Sequence, residues 1–405
     1  MDTTPTDLRR GDSIADRRHH SGWLKGLLLL ASFGFSAAMF LTLDFLHSRP
    51  ILRARLSEAR QPSCGVRDPI RHHALKPNCA ALGHWGENTY EVRTNSLGMR
   101  DEKIREVPLV DERPRILMLG DSFTQGMLEW RDSYVGRLAA HFSQYDILNG
   151  GVPSYSPSNY FNTTRILLAH GVEIDEVIVF IDLSDVADEA HVYQDADAFG
   201  AVRVPEESTA PPWRPSFSER FLVTNTLVGF FKRILVGLGF YHFATGQLGN
   251  PLDAGRGTWT YKSDTEIEQA GITSYAPLGV EGGIAKEKVK MTLLWQELKS
   301  RNIPISVVVY PWPAQVVRET AESRQVRIWR EWCEGRCKRF ISLFPAFLAV
   351  KDQCPRIQPG CWYLRCFTFG DIHYNANGNA VVANAVIKSL EELPPVKRQV
   401  TRGGP

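Results

Sequence analysis

The pattern of apolar and polar positions alternates between two kinds of segment from about residue 115 onwards. Short apolar runs predict buried strands at 115–119, 146–150, 176–183, 304–313 and 339–347. Helical spacing is found at 133–142, 159–171, 286–302, 314–333 and 375–393. Because strands alternate with helices of this length, the sequence predicts right-handed crossovers and an α/β fold with a parallel sheet.

This alternation is interrupted between about residues 190 and 280. The interrupted region contains an apolar segment, 221–243, with Lys232 and Arg233 in its middle. Two charges at that place argue against a membrane-spanning helix. We therefore predict helices of an insertion, which either cover the domain or rest on a membrane surface.

A second apolar run lies near the N-terminus. Residues 26–43 are 18 consecutive residues without a charge, and five basic residues precede them within the first 25. The run is just long enough to cross a bilayer, and the preceding positive charge favours a cytoplasmic N-terminus. A cleaved signal peptide and a buried core helix are the alternatives, but the length favours an uncleaved single-span anchor. Either an anchor or a signal peptide places the chain after about residue 47 outside the cytoplasm, at the inner or cell membrane.

These patterns divide the chain into five segments. We expect a disordered cytoplasmic tail, a transmembrane anchor, a lead-in segment, one large domain that contains the insertion, and a disordered C-terminal tail. Their boundaries are 1–21, 22–46, 47–110, 111–393 and 394–405.

Composition favours an oxidising compartment and argues against nucleic acid as a partner. The formal net charge of +2 gives no basic excess of the kind that binds nucleic acid. Five of the seven cysteines lie between residues 333 and 366, which in an oxidising compartment indicates disulfides that staple loops. The odd number leaves at least one thiol free or paired between chains. The cysteine spacing fits no common zinc site, so we expect neither a metal nor a cofactor.

Candidate chemistry begins with the tripeptide Gly-Asp-Ser, which occurs twice. Ser13 lies in the charged N-terminal tail, whereas Ser122 directly follows a predicted strand, at the edge where parallel sheets bind ligands. A serine nucleophile needs a base and a group that orients the base. Asp371 and His373 precede the last predicted helix and supply both. The alternative is that Ser122 only caps a helix.

Four blocks around these residues resemble the SGNH (GDSL-type) hydrolase family, and the lead-in "YEVRTNSLGMRDEKI" resembles the segment before the first block in its bacterial membrane-anchored members. The blocks are "LGDSFTQG", "LNGGVPSYSP", "VIVFIDLSDVADE" and "DIHYNANGNAVVA". The resemblance implies a three-layer fold whose five-stranded parallel sheet has flavodoxin-like order. It also implies that Ser122 is the nucleophile, that His373 and Asp371 are base and acid, and that the backbone N–H groups of Ser122 and Gly151 form an oxyanion hole.

Two positions depart from the family pattern. Ser184 stands where the family has an asparagine that donates to the oxyanion, and its hydroxyl has a shorter reach. The Asp-x-His spacing of Asp371 and His373 replaces Asp-x-x-His and resembles alginate O-acetyltransferase-like proteins. This second departure moves the expected chemistry toward acyl transfer to a glycan.

Two aromatic residues follow the strand predicted at 304–313. Tyr310 and Trp312 lie at its carboxyl end, where they are expected either to line a sugar-binding cleft or to pack in the core.

The function expected from the resemblance is that of an extracytoplasmic serine esterase or O-acyltransferase. Its substrate would be an acyl ester, with acetyl favoured, of a cell-envelope or exported polysaccharide, and its only other partner the membrane. The alternative is a non-catalytic carbohydrate-binding or scaffold module of a polysaccharide assembly complex. The altered block around Ser184 is the best support for that alternative.

Overall fold

The computed structural model describes residues 12–58, 63–86, 88–195, 220–245, 250–253 and 255–391. The chain forms two compact units, one of residues 1–60 with 211–231 and one of residues 61–210 with 232–405. The predicted C-terminal tail, 394–405, lies outside the described residues.

The strands, in chain order, are β1 (Gly65–Asp68), β2 (His72–Leu75), β3 (Ala80–Trp85), β4 (Asn88–Thr94), β5 (Arg100–Asp101), β6 (Arg115–Leu119), β7 (Asp146–Asn149), β8 (Glu176–Ile181), β9 (Ile305–Val309) and β10 (Arg339–Ser342).

The helices are α1 (Asp12–Glu58), α2 (Ser122–Gln125), α3 (Tyr134–His141), α4 (Pro157–Ala169), α5 (Asp185–Ala187), α6 (Leu222–Gly237), α7 (Asp264–Gln269), α8 (Gly279–Lys299), α9 (Pro313–Arg318), α10 (Arg324–Cys333), α11 (Phe344–Asp352), α12 (Cys361–Cys366) and α13 (Ala376–Glu391).

The first unit contains α1 and the beginning of α6. Within α1, the stretch Trp23–Arg53 is long and apolar enough to cross a membrane. The helix begins at Asp12, so it includes half of the tail predicted to be disordered, and it continues past the predicted end of the anchor at residue 46. Asp44 of α1 accepts hydrogen bonds from the backbone N–H groups of Val223 and Thr224, at 3.0 and 2.8 Å. A carboxylate at this place satisfies N–H groups that have no partner inside the first turn of a helix.

The second unit is built on an eight-stranded sheet. Its five parallel strands lie in the order β7–β6–β8–β9–β10, which is the flavodoxin-like order. Helices α3 and α13 contribute to the apolar core on one face of the sheet, and α4, α8 and α10 to the core on the other. Residues of β6 and β8 are buried on both faces, which explains their continuous apolar runs. The predicted three-layer α/β fold is confirmed.

Three strands of the lead-in segment, β3, β4 and β5, belong to the same sheet, whereas β1 and β2 form a separate two-stranded sheet and residues 47–58 belong to α1. β5 pairs antiparallel with β7, and β4 and β3 continue the sheet outward from β5. No break therefore separates residues 63–86 and 88–110 from the domain at residue 110. The alternation of buried Tyr90 and Val92 with exposed neighbours in β4 carries the strand signal in this segment.

One predicted helix is divided. The stretch 314–333 contains α9 and α10, because Glu319 is extended and the Ser323 side chain accepts the N–H of Val326 to begin a new helix. The strand predicted over 304–313 ends at Val309. Pro311 and Pro313 follow, and neither can donate to a strand ladder.

Three disulfides join six of the seven cysteines, as the cysteine pattern predicts. The pairs are Cys64–Cys79, Cys333–Cys337 and Cys354–Cys361, and Cys366 is a buried free thiol. The first pair connects the start of β1 to the residue before β3. It therefore fixes the two hairpins of the lead-in segment to each other.

We predict that the Cys64–Cys79 disulfide stabilises the domain more than the Cys333–Cys337 disulfide does. The two bonds close loops with sequence separations of 15 and 4 residues, which corresponds to about 3 and about 2 kcal/mol of lost unfolded-state entropy. The measurement is thermal unfolding of the two double Cys→Ser variants. An equal or larger loss of Tm for the Cys333→Ser, Cys337→Ser variant would contradict this order.

Candidate active site

The candidate nucleophile, Ser122, lies in a sharp turn from β6 into α2. The Asp121 side chain accepts the N–H of Phe123 at 2.9 Å and so caps the short helix that Ser122 begins. Gly120 makes the turn possible, since a Cβ at this position would lie 1.9 Å from Oγ1 of Thr124. The turn places Ser122 at the carboxyl edge of the parallel sheet, as the sequence predicts.

The predicted base reaches Ser122 across 251 residues of chain. Nε2 of His373 lies 2.7 Å from Oγ of Ser122. Nδ1 of His373 lies 2.6 Å from Oδ1 of Asp371, which also accepts the His373 backbone N–H at 3.0 Å. These contacts assign the ring proton to Nδ1, so Nε2 presents its lone pair to the serine hydroxyl.

Hydrogen bonds keep the Asp371 carboxyl ionised. Burial by itself would raise the pKa of the Asp371 carboxyl, but hydrogen bonds from the ring and backbone of His373 outweigh burial and lower the pKa below its usual value. Asp371 is therefore ionised throughout the neutral range. In that state it orients the imidazole and would stabilise the imidazolium.

Trp85 is a further member of the site, and the sequence analysis missed it. Its indole Nε1 lies 3.0 Å from Nδ1 of His373, and the two rings meet edge to face with centroids 4.9 Å apart. Since Nδ1 carries its own proton, the indole N–H serves the adjacent Asp371 carboxylate and helps to lower its pKa. The only signal in the sequence is a tryptophan directly before a glycine. In the structure this glycine, Gly86, lies at the turn of the hairpin and has a positive φ of 57°.

Gly151, for which the resemblance implies a role in the oxyanion hole, lies against the nucleophile helix. A Cβ at this position would lie 2.4 Å from the backbone nitrogen of Gln125, so only glycine allows so close an approach. Its N–H donates to Oδ1 of Asn149 at 3.0 Å, and the Asn149 amide donates in turn to the carbonyl of Thr124, also at 3.0 Å. Asn149, which is not among the predicted site residues, thus engages the Gly151 N–H, and this bond has to be given up before the N–H can donate to an oxyanion.

Ser184 lies at the end of β8, but its hydroxyl is engaged elsewhere. Both its Oγ and its backbone N–H donate to Oδ2 of Asp182, the N–H at 3.2 Å. The side chain is thus held within the turn that follows β8. A role for Ser184 in the oxyanion hole stays a prediction.

Tyr310 and Trp312 are buried next to the turns that follow β6 and β8, and each donates a hydrogen bond to an aspartate there. The Tyr310 hydroxyl donates to Oδ1 of Asp121 at 3.0 Å, and the Trp312 indole donates to Oδ1 of Asp182 at 2.6 Å. Their exposed fractions are 1% and 3%, so neither ring lies on an open cleft. The packing alternative of the sequence analysis describes their placement.

A group of buried carboxyls lies behind the turns after β6 and β8. Burial, followed by the charge of Asp182, raises the pKa of Asp121 and of Asp185 well above the usual range. Burial likewise raises the pKa of Asp188 to about 7. Among the described residues, no three histidine, cysteine or acidic side chains are placed to hold a metal ion.

Comparisons with known proteins give similarities at the level of solved structures. No family model and no curated protein matches the chain. The psychrotrophic esterase EstA from Pseudoalteromonas sp. is 9% identical with a TM-score of 0.35, and the alignment covers 69% of this chain and 97% of that one. The acetylxylan esterase Axe2 from Geobacillus stearothermophilus, as a catalytic mutant, is 12% identical with a TM-score of 0.36, and 70% and 96% are covered. A lipolytic protein of the G-D-S-L family from Veillonella parvula is 10% identical with a TM-score of 0.37, and 69% and 99% are covered.

We predict that Asp185→Asn stabilises the protein at neutral pH. Asp185 is fully buried, its Oδ1 has no hydrogen-bond partner among the described residues, and its folded pKa is raised. The protonated carboxyl therefore supports the fold fully below about pH 4, and this contribution is lost as the pH rises toward the folded pKa. Urea unfolding of variant and wild type should give a gain of roughly 1–3 kcal/mol at pH 7.5 that disappears near pH 4. A gain that grows on acidification would contradict the raised pKa.

We predict that Trp85→Phe slows the reaction of Ser122 with a fluorophosphonate probe by about 10- to 100-fold. The substitution keeps an aromatic ring but removes one hydrogen bond to a charged group, a loss of about 1.5–3 kcal/mol. The second-order labelling rate, followed by intact mass, is the measurement. Trp295→Phe, the same substitution at a partly buried position on α8, is the control and should label at the wild-type rate. Equal rates for Trp85→Phe and wild type would show that the indole N–H does not act on the His373–Asp371 pair.

Proposed function

We propose that this protein is a serine esterase or O-acyltransferase of the SGNH type, acting outside the cytoplasm on acyl esters of a polysaccharide. The observation that carries the proposal is the continuous hydrogen-bonded chain Ser122–His373–Asp371, with distances of 2.7 and 2.6 Å. Each of its members alone has an ordinary structural role. Joined in this order, they form the arrangement that makes a serine hydroxyl nucleophilic.

The reaction proceeds through an acyl-enzyme. Oγ of Ser122 attacks the acyl carbonyl carbon while Nε2 of His373 takes the hydroxyl proton, and ionised Asp371 stabilises the resulting imidazolium. We assign the negative oxygen of the tetrahedral intermediate to the backbone N–H groups of Ser122 and Gly151, the second of which exchanges its hydrogen bond to Oδ1 of Asn149 for one to the oxyanion. As the intermediate collapses, the ester C–O bond breaks and His373 returns the proton to the leaving alcohol.

The acyl group then leaves the serine by the same steps in reverse. His373 removes a proton from an incoming hydroxyl, which attacks the acyl carbon and releases Ser122. If that hydroxyl belongs to water, the protein is an esterase, and if it belongs to a sugar, the protein is an O-acyltransferase. The Asp-x-His spacing favours transfer to a glycan.

The extracytoplasmic location is supported by two independent features. The segment Trp23–Arg53 has the length and composition of a membrane anchor, and basic residues precede it. Three disulfides join cysteines of the domain that follows, which is typical of proteins in oxidising compartments. A domain held at the membrane surface on that side would meet cell-envelope or exported polysaccharide.

A second candidate function, a non-catalytic carbohydrate-binding module, is favoured by the placement of Ser184. Because its hydroxyl donates to Asp182, the oxyanion hole consists of backbone donors alone. Loss of one side-chain donor lowers the rate by about 10²–10³, which leaves a slow enzyme or a binding protein. The following experiment separates the two.

We predict that the full chain in lipid nanodiscs hydrolyses p-nitrophenyl acetate and that intact mass detects an acetyl adduct on Ser122. Ser122→Ala should abolish the adduct and reduce turnover by about 10³-fold or more, and adding His373→Ala to it should cost little more, because the two residues act as a unit. Ser300→Ala, on an exposed helix end, is the matched control. Addition of an O-acetylated polysaccharide as donor, or of the deacetylated glycan as acceptor, distinguishes hydrolysis from transfer.

Two outcomes would overturn these assignments. Folded protein that shows neither turnover nor a serine adduct would favour the binding module. Turnover that is unaffected by Ser122→Ala would show that Ser122 is not the nucleophile.

A further inference from the structure

An apolar patch lies on the surface of the second unit, at the end of α6 and on the loop that follows α11. Its side chains are Ile234, Leu238 and Phe240, which are 45–51% exposed, and Ile357, which is 78% exposed. In the part of the chain that the structure describes, no large apolar side chain is more exposed than Ile357. A soluble monomeric protein rarely groups such side chains on its surface, so the patch points to a partner.

The two parts of the patch are joined by contacts between their backbones. The Gly360 N–H donates to the carbonyl of Gly237 at 3.0 Å. A Cβ at Gly360 would lie 1.8 Å from the carbonyl oxygen of Val236, so only glycine allows so close an approach. The Tyr241 hydroxyl adds a hydrogen bond to the carbonyl of Pro359, at 2.9 Å. The end of α6 and the loop therefore form one surface.

The loop that carries Ile357 is supported but not buried. A disulfide between Cys354 and Cys361 closes it, and the residues between 355 and 359 are all exposed. The buried Trp362, which belongs to the apolar core, follows only after the second cysteine. The disulfide thus supports a loop that presents an apolar side chain outward, and packing inside the chain does not explain this arrangement.

The two segments that form the patch carry charge of one sign. Arg356 is exposed next to Ile357, and Lys232 and Arg233 lie in the second half of α6. No aspartate or glutamate occurs between residues 221 and 252 or between residues 353 and 370. Basic residues beside apolar ones favour a partner that is anionic at its surface and apolar beneath it.

The first unit shows where α6 begins. Two N–H groups of its first turn, those of Val223 and Thr224, donate to Asp44 of α1. Asp44 lies within the stretch Trp23–Arg53, which has the length and composition of a membrane span. The helix that leads to the patch therefore starts from the helix that is expected in the bilayer.

Along α6 and at its end, exposed apolar side chains recur with helical spacing. Steps of three or four residues relate them, which is the spacing of one stripe on a helix. They are Val223, Leu227, Phe230, Phe231, Ile234 and Leu238. An exposed apolar stripe with basic residues beside it is typical of a helix that lies in the interface of a membrane.

We propose that the patch is a second membrane contact, beside the span in α1. Ile357 and the stripe of α6 enter the interfacial layer of the bilayer, and Arg356, Lys232 and Arg233 meet anionic head groups. Apolar side chains gain by leaving water, and each basic residue near an anionic surface adds about fivefold in affinity. A second copy of this chain is a poorer occupant, because a symmetric contact would bring the basic residues of both copies together. The inference goes beyond the proposed function and does not require Ser122 to react.

Fluorescence quenching in nanodiscs tests this contact. Gln358→Cys, at an exposed position next to Ile357, can be labelled with an NBD fluorophore, since six cysteines form disulfides and Cys366 is buried. With the full chain in nanodiscs that contain phosphatidylglycerol, lipids with a nitroxide near the head group should quench this label about twofold or more. Ser300→Cys, at the end of α8 on the other face of the sheet, is the control and should not be quenched.

A pair of apolar-to-acid variants locates the contact. Ile357→Asp places a negative charge in the proposed lipid layer, so it should reduce the quenching of the label at residue 358 to the level of the Ser300 control. Val289→Asp, at an exposed valine of α8, should leave the quenching unchanged. Both positions are exposed, so neither substitution disturbs the core. Undiminished quenching with Ile357→Asp would overturn the proposed contact.

Lipid charge tests the role of the basic residues. Quenching of the label at residue 358 should be weaker in nanodiscs of phosphatidylcholine alone, and Arg356→Gln should reduce the difference between the two lipids. Arg131→Gln, at an exposed position outside the patch, should leave the difference unchanged. Equal quenching in both lipids would overturn the contact with anionic head groups.

A neutral quencher in water separates lipid from other occupants. Acrylamide should quench the label at residue 358 poorly and the label at residue 300 freely. A label at residue 358 that acrylamide quenches and the nitroxide lipid does not would show that the patch lies in water. A label shielded from both quenchers would show that protein covers the patch, either a second copy or another part of this chain. Either result would overturn the membrane contact, whatever the outcome of the esterase assays.

Discussion

Buried polar side chains lie at the carboxyl ends of four parallel strands, and each needs a hydrogen-bond partner in a neighbouring turn. The site depends on this constraint. β6, β7, β8 and β9 are followed or ended by Asp121, Asn149, Asp182 and Tyr310, all of them buried. Tyr310 donates to Asp121, which also accepts the N–H of Phe123 to cap the nucleophile helix and accepts the Ser122 hydroxyl. In the low dielectric of the protein interior, a buried polar group without a hydrogen bond strongly destabilises the fold. Each turn therefore adopts the conformation in which the polar group of the neighbouring turn is paired. The position of Ser122 is set by this mutual pairing.

The other half of the site comes from outside the parallel sheet. The β3–β4 hairpin extends the sheet antiparallel beyond β7 and brings Trp85 to the His373–Asp371 pair. The same hairpin is fixed at its base by the Cys64–Cys79 disulfide. A single disulfide-fixed element thus supports the His373–Asp371 pair from outside the parallel sheet.

The sequence predicts the parts of this molecule that depend on local pattern. Alternating apolar runs and helices predict the parallel sheet, and the blocks around Ser122, Gly151 and His373 predict which residues meet at its edge. Contacts made only by the folded chain are not predictable in this way. No local sequence pattern shows that Trp85 contacts His373. Tyr310 lies between a strand and a proline, and this context is the same whether the side chain faces a cleft or, as in the structure, a buried carboxyl. Of the lead-in strands, β1 and β5 are too short to give a periodic signal, whereas the alternation of buried and exposed residues in β4 is a signal from which that strand is predictable.

The order of these residues along the chain has a consequence for biosynthesis. Trp85 and Ser122 leave the ribosome early, whereas Asp371 and His373 follow some 250 residues later, shortly before the last helix. A nascent or prematurely terminated chain therefore contains a serine without its base, and such a serine is a weak nucleophile. The proposed chemistry at Ser122 therefore requires that residues 371–373 have been synthesised and have folded against the sheet.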